Sequence, residues 1–140
     1  MGNIGHNKAL LEGQTILPEL QITWNSYYDR DRMTRIFTFA GQICDVNSHE
    51  LNQKFIHFIE DENFTNAILD LENLHYINSQ GIAILHAIVS KLQDKNILIV
   101  VGGIHPFLRE VFSLIEELSS MKVFDSLEEA KKYLPWLYHS

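Results

Sequence analysis

Two segments in the first third of the chain alternate apolar and polar side chains with the period of a β-strand. The first is LQITW at residues 20–24, and the second is TRIFTFA at residues 34–40. A period of two places alternate side chains on one face of a strand, and both segments contain the β-branched and aromatic residues that strands favour. The charged run at residues 29–32 separates them. This pattern predicts a β-hairpin.

The apolar period becomes helical in the segment at residues 47–60. Asn47 and Glu50 have the spacing of a capping box, which predicts that the first helix begins there. The inward side chains expected in this helix are Leu51, Phe55, Phe58 and Ile59. A second helix is predicted after residue 78. Its expected inward side chains are Ile84, Leu85, Ile88, Val89 and Leu92.

Two further helices are predicted in the C-terminal part of the chain. Pro106 after His105 indicates the start of the third helix, because proline fits the first helical turn. Its expected buried side chains are Phe107, Leu108, Val111, Phe112 and Ile115. Ser126 and Glu129 again have capping-box spacing and predict the start of a short last helix.

Strands are predicted between these helices. The segment at residues 66–78 reads as a strand that leads directly into the second helix, and residues 122–124 suggest a short strand. The segment NILIVVG at residues 96–102 is continuously apolar and rich in branched side chains, as expected for a strand covered on both faces. We therefore expect this segment near the centre of the sheet.

The order of the predicted elements is that of an α/β fold. Strands joined by crossover helices must pair in parallel, so the N-terminal hairpin makes the sheet mixed. We expect four to five strands, with the helices mostly on one face. Residues 1–17 contain three glycines and no sustained period, which predicts a flexible N-terminal arm ahead of a single domain over residues 18–140.

Composition and charge narrow the range of functions. A chain of 140 residues with 46% hydrophobic content can bury one core without disulfides, and its single cysteine allows no internal disulfide. With no apolar run of membrane-spanning length, we expect a cytoplasmic protein that does not enter a membrane. The net charge of −7 opposes binding to phosphate backbones, so we expect no nucleic-acid partner and favour a protein partner.

Catalytic and metal-binding patterns are weak in this sequence. The seven histidines show neither the i, i+4 spacing nor the Cys/His spacing of metal sites, so we expect no metal and no cofactor. Cys44 is expected to be a small core thiol, and Gly102 with Gly103 to be a plain turn rather than a phosphate-binding loop. We therefore expect a non-enzymatic protein.

Four segments together carry a resemblance to a known family. They are LENLHYINSQGIAIL, NILIVVGG, PFLREVFSLI and VFDSLEEAKKYL, in that order. Over roughly residues 20–134 the chain resembles the STAS domain family, typified by bacterial anti-sigma factor antagonists. The resemblance implies a single STAS-like domain and places Asn78, Ser79, Gln80 and Gly81 at the family's Asp-Ser-Ser/Thr-Gly loop. Asn78 and Gln80 depart from that pattern.

The resemblance also implies a function. In the family, the serine after the aspartate is phosphorylated by a partner kinase that also acts as the anti-sigma factor. Ser79 stands at this position, and residues 78–81 are then the expected partner-binding surface. Two alternatives remain open on the sequence: Ser79 can instead serve as a helix cap, and the chain can be a STAS interaction or scaffold protein, including a self-associating one, without a phosphoswitch.

Overall fold

Six strands form one mixed sheet in the part of the chain that the structure, a computed structural model, describes: residues 12–61 and 64–138. The strands are β1 (Glu12–Leu17), β2 (Leu20–Asp29), β3 (Arg32–Ile43), β4 (Asn66–Ile77), β5 (Leu98–Ile104) and β6 (Lys122–Phe124). Their order across the sheet follows their order along the chain. The first three strands pair antiparallel, whereas β3, β4, β5 and β6 pair in parallel. The predicted hairpin is β2 and β3.

Five helices accompany the sheet within the described residues. They are α1 (Ser48–Asp61), α2 (Ser79–Asp94), α3 (Pro106–Ser113), α4 (Glu116–Ser119) and α5 (Leu127–Tyr138). The helices α1 to α4 contribute side chains to one large core on one face of the sheet, including Phe55, Leu85, Leu108 and Leu118. On the other face, α5 packs Ala130 and Leu134 against the sheet, over a smaller cluster. The prediction of an α/β fold with helices mostly on one face is confirmed.

The sheet is wider than the four to five strands predicted, because residues 12–17 form the additional edge strand β1. Each β1 residue is paired with β2, from Glu12 opposite Asn25 to Leu17 opposite Leu20. Leu17 is buried in the main core, and this apolar anchor holds the strand. The predicted flexible arm therefore does not extend over residues 12–17, and residues 1–11 lie outside the described residues.

The strand β5 is interior and covered on both faces, as its apolar run predicted. Val101 belongs to the large core, and its neighbour Val100 belongs to the cluster under α5. The middle of the sheet is nevertheless formed by β3 and β4, while β5 is second from the edge because only the three-residue β6 lies beyond it. Gly102 and Gly103 are part of this strand rather than a turn.

Two local predictions in the helices are wrong. Phe107 is 43% exposed, because it follows Pro106 in the first turn of α3 and only Leu108 and Phe112 of this helix are buried. Asn47 does not cap α1 with its side chain. It is fully buried, accepts from the Cys44 N–H at 3.1 Å, and donates to the carbonyls of Pro18 and Gln42.

Other local predictions agree with the structure. The Ser126 hydroxyl accepts a hydrogen bond from the Glu129 N–H at 3.1 Å and caps α5. His105 precedes Pro106 as the N-cap of α3, and its Nδ1 accepts from the Phe107 N–H. Leu51 and Phe55 are buried on α1. The side chains of Phe58 and Ile59 lie outside the described part of the structure.

Candidate functional site

The serine loop lies at the edge of the sheet where the parallel strands β3 and β4 end. The two strands pair as far as Ile43 opposite Ile77, with register shifts after Thr38 and after Gly41. The chain leaves β4 at Ile77 and enters α2 at Ser79, so a single residue, Asn78, joins the strand to the helix. A short junction of this kind fixes the helix N-terminus relative to the sheet.

Asn78 is the N-cap of α2. Its Oδ1 accepts a hydrogen bond from the Gly81 N–H at 2.9 Å, and its backbone is extended, with φ −97° and ψ −177°. This side chain satisfies one of the N–H groups that a helix N-terminus leaves without an intrahelical partner. The Asn78 N–H donates to the Ile43 carbonyl at 3.2 Å, which ties the cap to the end of β3.

Ser79 occupies the first helical position, one residue after the cap. Both Ser79 and Gln80 are exposed. Since Asn78 caps the helix, the alternative in which Ser79 serves as the cap is wrong. The Ser79 side chain points from a helix N-terminus whose first turn contains no acidic residue. The partial positive charge at this end favours an anion.

Gly81 is the one buried residue of the four, and its lack of a side chain lets α2 approach the sheet. A Cβ at this position would lie 2.5 Å from the Ile43 carbonyl oxygen and 2.7 Å from Cγ1 of Ile77. Real Cβ contacts are longer than this, so any larger residue would displace the start of the helix. The missing side chain of Gly81 thus allows the first turn of α2, which contains Ser79, to pack close to the ends of β3 and β4.

The loop between β3 and α1 lies beside the serine loop, which the sequence did not reveal. The Asn78 Nδ2 donates to Oδ1 of Asp45 at 3.4 Å, and Asp45 is exposed. The next residue, Val46, is 55% exposed. The predicted parallel pairing could have indicated this proximity. The carboxyl ends of neighbouring parallel strands, and the loops that follow them, share one edge of the sheet.

The buried carboxyl group of Asp70 lies away from this edge. Burial is the largest influence on the pKa of Asp70 and raises it above 3.8; the nearby Glu72 charge also raises this pKa. Hydrogen bonds from the Glu72 N–H and from Thr38 lower it. Asp70 lies at the register shift between β4 and β5, well before the strand reaches Asn78. Cys44 is buried, as predicted. In the described ranges, no three His, Cys, Asp or Glu side chains form a group able to hold a metal ion.

No helix of residues 12–61 or 64–138 combines the length and the apolar character needed to cross a bilayer.

Solved structures with the same fold include several regulators. An anti-sigma factor antagonist from Mycobacterium paratuberculosis is 22% identical, with a TM-score of 0.61 over 78% of this chain and 92% of its own. The Bacillus cell fate determinant SpoIIAA in its phosphorylated form is 18% identical, with a TM-score of 0.59 over 79% and 98%. A serine-to-glutamate variant of RsbS from Moorella thermoacetica is 15% identical, with a TM-score of 0.64 over 90% and 100%. At these identities the likeness shows the fold.

The family is established by sequence. No curated protein sequence matches the chain significantly. The family model of the STAS domain, in contrast, matches residues 27–130, which is most of the chain and includes β3, β4, the serine loop and α2. The chain therefore belongs to the STAS domain family.

Proposed function

We propose that this chain is a regulatory protein-binding module of the anti-sigma factor antagonist type. Its docking surface is formed by Asn78, Ser79, Gln80 and Gly81, and phosphorylation of Ser79 switches it. The partner is a serine kinase that also acts as an anti-sigma factor, so this chain itself needs no catalytic group. The proposal implies a bacterial, cytoplasmic regulator of transcription.

The observation that carries the proposal is that Asn78, and not Ser79, caps α2. Asn78 supplies the cap through its 2.9 Å hydrogen bond from Gly81, so the exposed Ser79 hydroxyl is not needed to start the helix. A hydroxyl that is exposed and structurally dispensable can be modified without unfolding the domain. The membership of the STAS family and the likeness to a phosphorylated SpoIIAA support this interpretation.

The switch follows from the charge that phosphorylation adds. A phosphoserine carries about −1.5 to −2 charges and three strong acceptors. The N–H groups and the positive dipole end of α2 stabilise it locally, so the domain keeps its fold. A partner packed against the unmodified loop would have to bury this charge, which costs several kcal/mol when the charge stays unpaired. Phosphorylation therefore releases the partner.

A second function is favoured by Asp45. Its carboxylate lies 3.4 Å from the Asn78 amide, beside Ser79, and a phosphate added there would meet a like charge. This observation supports the alternative of a STAS interaction or scaffold protein, self-associating or not, in which Ser79 is never modified. The two functions use the same surface and differ in whether Ser79 carries phosphate.

Capture of partners with variant baits tests both functions. Wild type, Ser79→Ala and Ser79→Glu are compared for binding of ATP-dependent serine kinases from the source cell, and phosphate on Ser79 is measured by mass spectrometry. The control is Ser120→Glu, an exposed serine at the end of α4. We expect a kinase bound by wild type and Ser79→Ala, at least about tenfold weaker binding by Ser79→Glu, and phosphate on Ser79.

The outcomes separate the two functions. Partner binding that Ser79→Glu weakens, with phosphate absent from Ser79, supports the scaffold function instead of the switch. Equal binding by all four proteins contradicts the docking surface at residues 78–81.

A further inference from the structure

A second exposed surface lies far from Ser79. The strand β3 runs from the β2–β3 turn to the serine edge, pairing with β4 from Thr34 opposite Asn66 to Ile43 opposite Ile77. At about 3.3 Å per residue, the turn and Ser79 are roughly 30 Å apart. The C-terminal half of α5 lies at the turn, because Pro135 and Trp136 line a groove together with Asp29 and Arg30. A partner at Ser79 would leave this region uncovered.

This surface combines lysines with aromatic rings. The Lys122 Nζ lies 5.6 Å from the centre of the Phe124 ring, and the Lys132 Nζ lies 5.2 Å from that of Tyr133. The two rings stack on each other, with centres 6.1 Å apart. We call these residues, with Lys131 and Trp136, the basic aromatic patch. Contact with a ring face holds an ammonium group at the surface while leaving it charged.

The charge of the patch is opposite to that of the whole chain, which is −7. In α5 the acidic residues Glu128 and Glu129 stand in the first turn, whereas the following segment, residues 130–138, has two lysines and no acidic residue. Lys131 extends over the ring of Tyr27 on β2, with its Nζ 5.3 Å from the ring centre. The local charge therefore fits an acidic ligand, even though the rest of the molecule does not.

Trp136 gives the patch an apolar anchor. Its side chain is 73% exposed, and Tyr133 and Leu137 beside it are also exposed. Tryptophan and tyrosine are among the side chains most often found at the energetic centre of protein interfaces. Trp136 also forms one wall of the groove, which has a volume of about 410 Å³ and includes Lys132.

We propose that the basic aromatic patch is a second docking surface, which binds an acidic segment of a partner protein that also carries apolar side chains. The groove decides for a protein segment rather than an anionic membrane. It is concave, with Arg30 and Lys132 beside Asp29 in its walls, so it fits a peptide segment better than the broad surface of a bilayer. The segment's acidic side chains bind the lysines, and its apolar side chains pack on Trp136. This surface works independently of the switch at Ser79.

Fluorescence anisotropy with two synthetic peptide pools tests the proposal. Each labelled peptide has about 12 residues, the length of a strand-like segment that can cross such a patch. One pool combines Glu and Asp with Leu and Phe at random, and the other has Lys and Arg in place of the acidic residues. We expect the acidic pool to bind wild type at least about tenfold more tightly than the basic pool, and to weaken as NaCl rises from about 50 to about 300 mM.

Matched variants locate the binding. Trp136→Ala and the double variant Lys131→Glu, Lys132→Glu should each weaken binding of the acidic pool at least about tenfold. The controls are Leu114→Ala, which removes another exposed apolar side chain, and Lys91→Glu with Lys95→Glu, exposed lysines at the end of α2. These controls, and Ser79→Glu, should change the affinity by less than about twofold, as expected for surface residues outside the contact.

Several results overturn the proposal. They are equal affinity of the two pools, equal loss in the controls, and unchanged binding by both patch variants. Two others assign the patch to a different occupant: Trp136-dependent binding to phosphatidylcholine vesicles with about 30% phosphatidylserine, and a dimer in sedimentation that Trp136→Ala dissociates. Loss of peptide binding through misfolding is recognised by circular dichroism, and the conservative Trp136→Phe should then restore both fold and binding.

Discussion

The Oδ1 atom of Asn78 accepts a hydrogen bond from the backbone N–H of Gly81 at 2.9 Å, and this bond starts the helix that presents Ser79. The side chain of Asn78 therefore has a structural role, and the side chain of Ser79 does not share it. The two neighbouring residues can be separated by experiment, because one substitution should change stability and the other should change binding.

Replacing the cap should destabilise the domain. Asn78→Ala removes the acceptor for the Gly81 N–H, so we expect the free energy of unfolding to fall by about 1 kcal/mol. The measurement is urea denaturation followed by circular dichroism. Gln80→Ala, at an exposed position two residues later, serves as the control and should leave the stability nearly unchanged. Equal stability of Asn78→Ala and wild type would contradict the assigned cap.

Substitutions of Ser79 should leave the fold intact. Its side chain is exposed and does not cap α2, so we expect Ser79→Ala and Ser79→Glu to stay within about 0.5 kcal/mol of wild type. Glutamate at a helix N-terminus should give the more stable of the two variants, because the dipole favours its charge. Thermal unfolding measures both. A loss of several degrees in Ser79→Ala would indicate a structural role that the hydrogen bonds do not show.

Adding one methyl group at Gly81 should be unfavourable. In an unconstrained helix, alanine is about 1 kcal/mol better than glycine. Here the new Cβ would lie 2.5 Å from the Ile43 carbonyl, and crowding of this kind costs about 1–3 kcal/mol. We therefore expect Gly81→Ala to lower the free energy of unfolding.

The reverse substitution in the same helix provides the comparison. Ala83 is exposed, so Ala83→Gly should cost about 1 kcal/mol through propensity alone. A gain in stability for Gly81→Ala would mean that α2 can move away from β3 without loss of packing.

Asn47 should be more important for stability than Glu50, the other residue of the capping box predicted from the sequence. Its amide bonds to Cys44, Pro18 and Gln42 and joins the β1–β2 turn to the end of β3. Asn47→Ala leaves buried polar groups without partners, at about 1–3 kcal/mol for each such group. Glu50→Ala, at an exposed position, should cost far less. Comparable losses for the two variants in denaturant melts would support the capping box instead.

Asp70 should make stability depend on pH. Because burial raises the pKa of Asp70 in the folded state, the folded protein binds this proton more tightly than the unfolded chain does. The resulting stabilisation is present below pH 3.8, the ordinary pKa, and is lost as the pH rises through the raised value. Asp70→Asn stays neutral and keeps an acceptor for the Glu72 N–H.

The variant and wild type are compared by urea denaturation from acid to neutral pH. The stability of Asp70→Asn relative to wild type should increase as the pH rises. A difference that does not change with pH would show that Asp70 has no raised pKa.

Periodic segments with a single interpretation were predicted well from the sequence. The hairpin β2–β3, the buried strand β5 and the inward face of α2 all follow from apolar spacing, because burial requires one face of each element to be apolar. The strand β1 was missed since its glycine and polar residues give a weak pattern. The pairing of all six β1 residues with β2 and the burial of Leu17 compensate for that weakness.

The sequence by itself determined the α/β order of elements, the STAS segments and the serine at the start of α2. The tertiary structure decided which side chain caps that helix, how closely Gly81 approaches Ile43, and that Asp45 lies beside the serine loop. It also brought Lys122, from β6, next to α5 in the basic aromatic patch. Local spacing reports only on neighbours within one strand or helix. Contacts between distant segments depend on how the parallel strands align, and that alignment is fixed by the packing of the whole core.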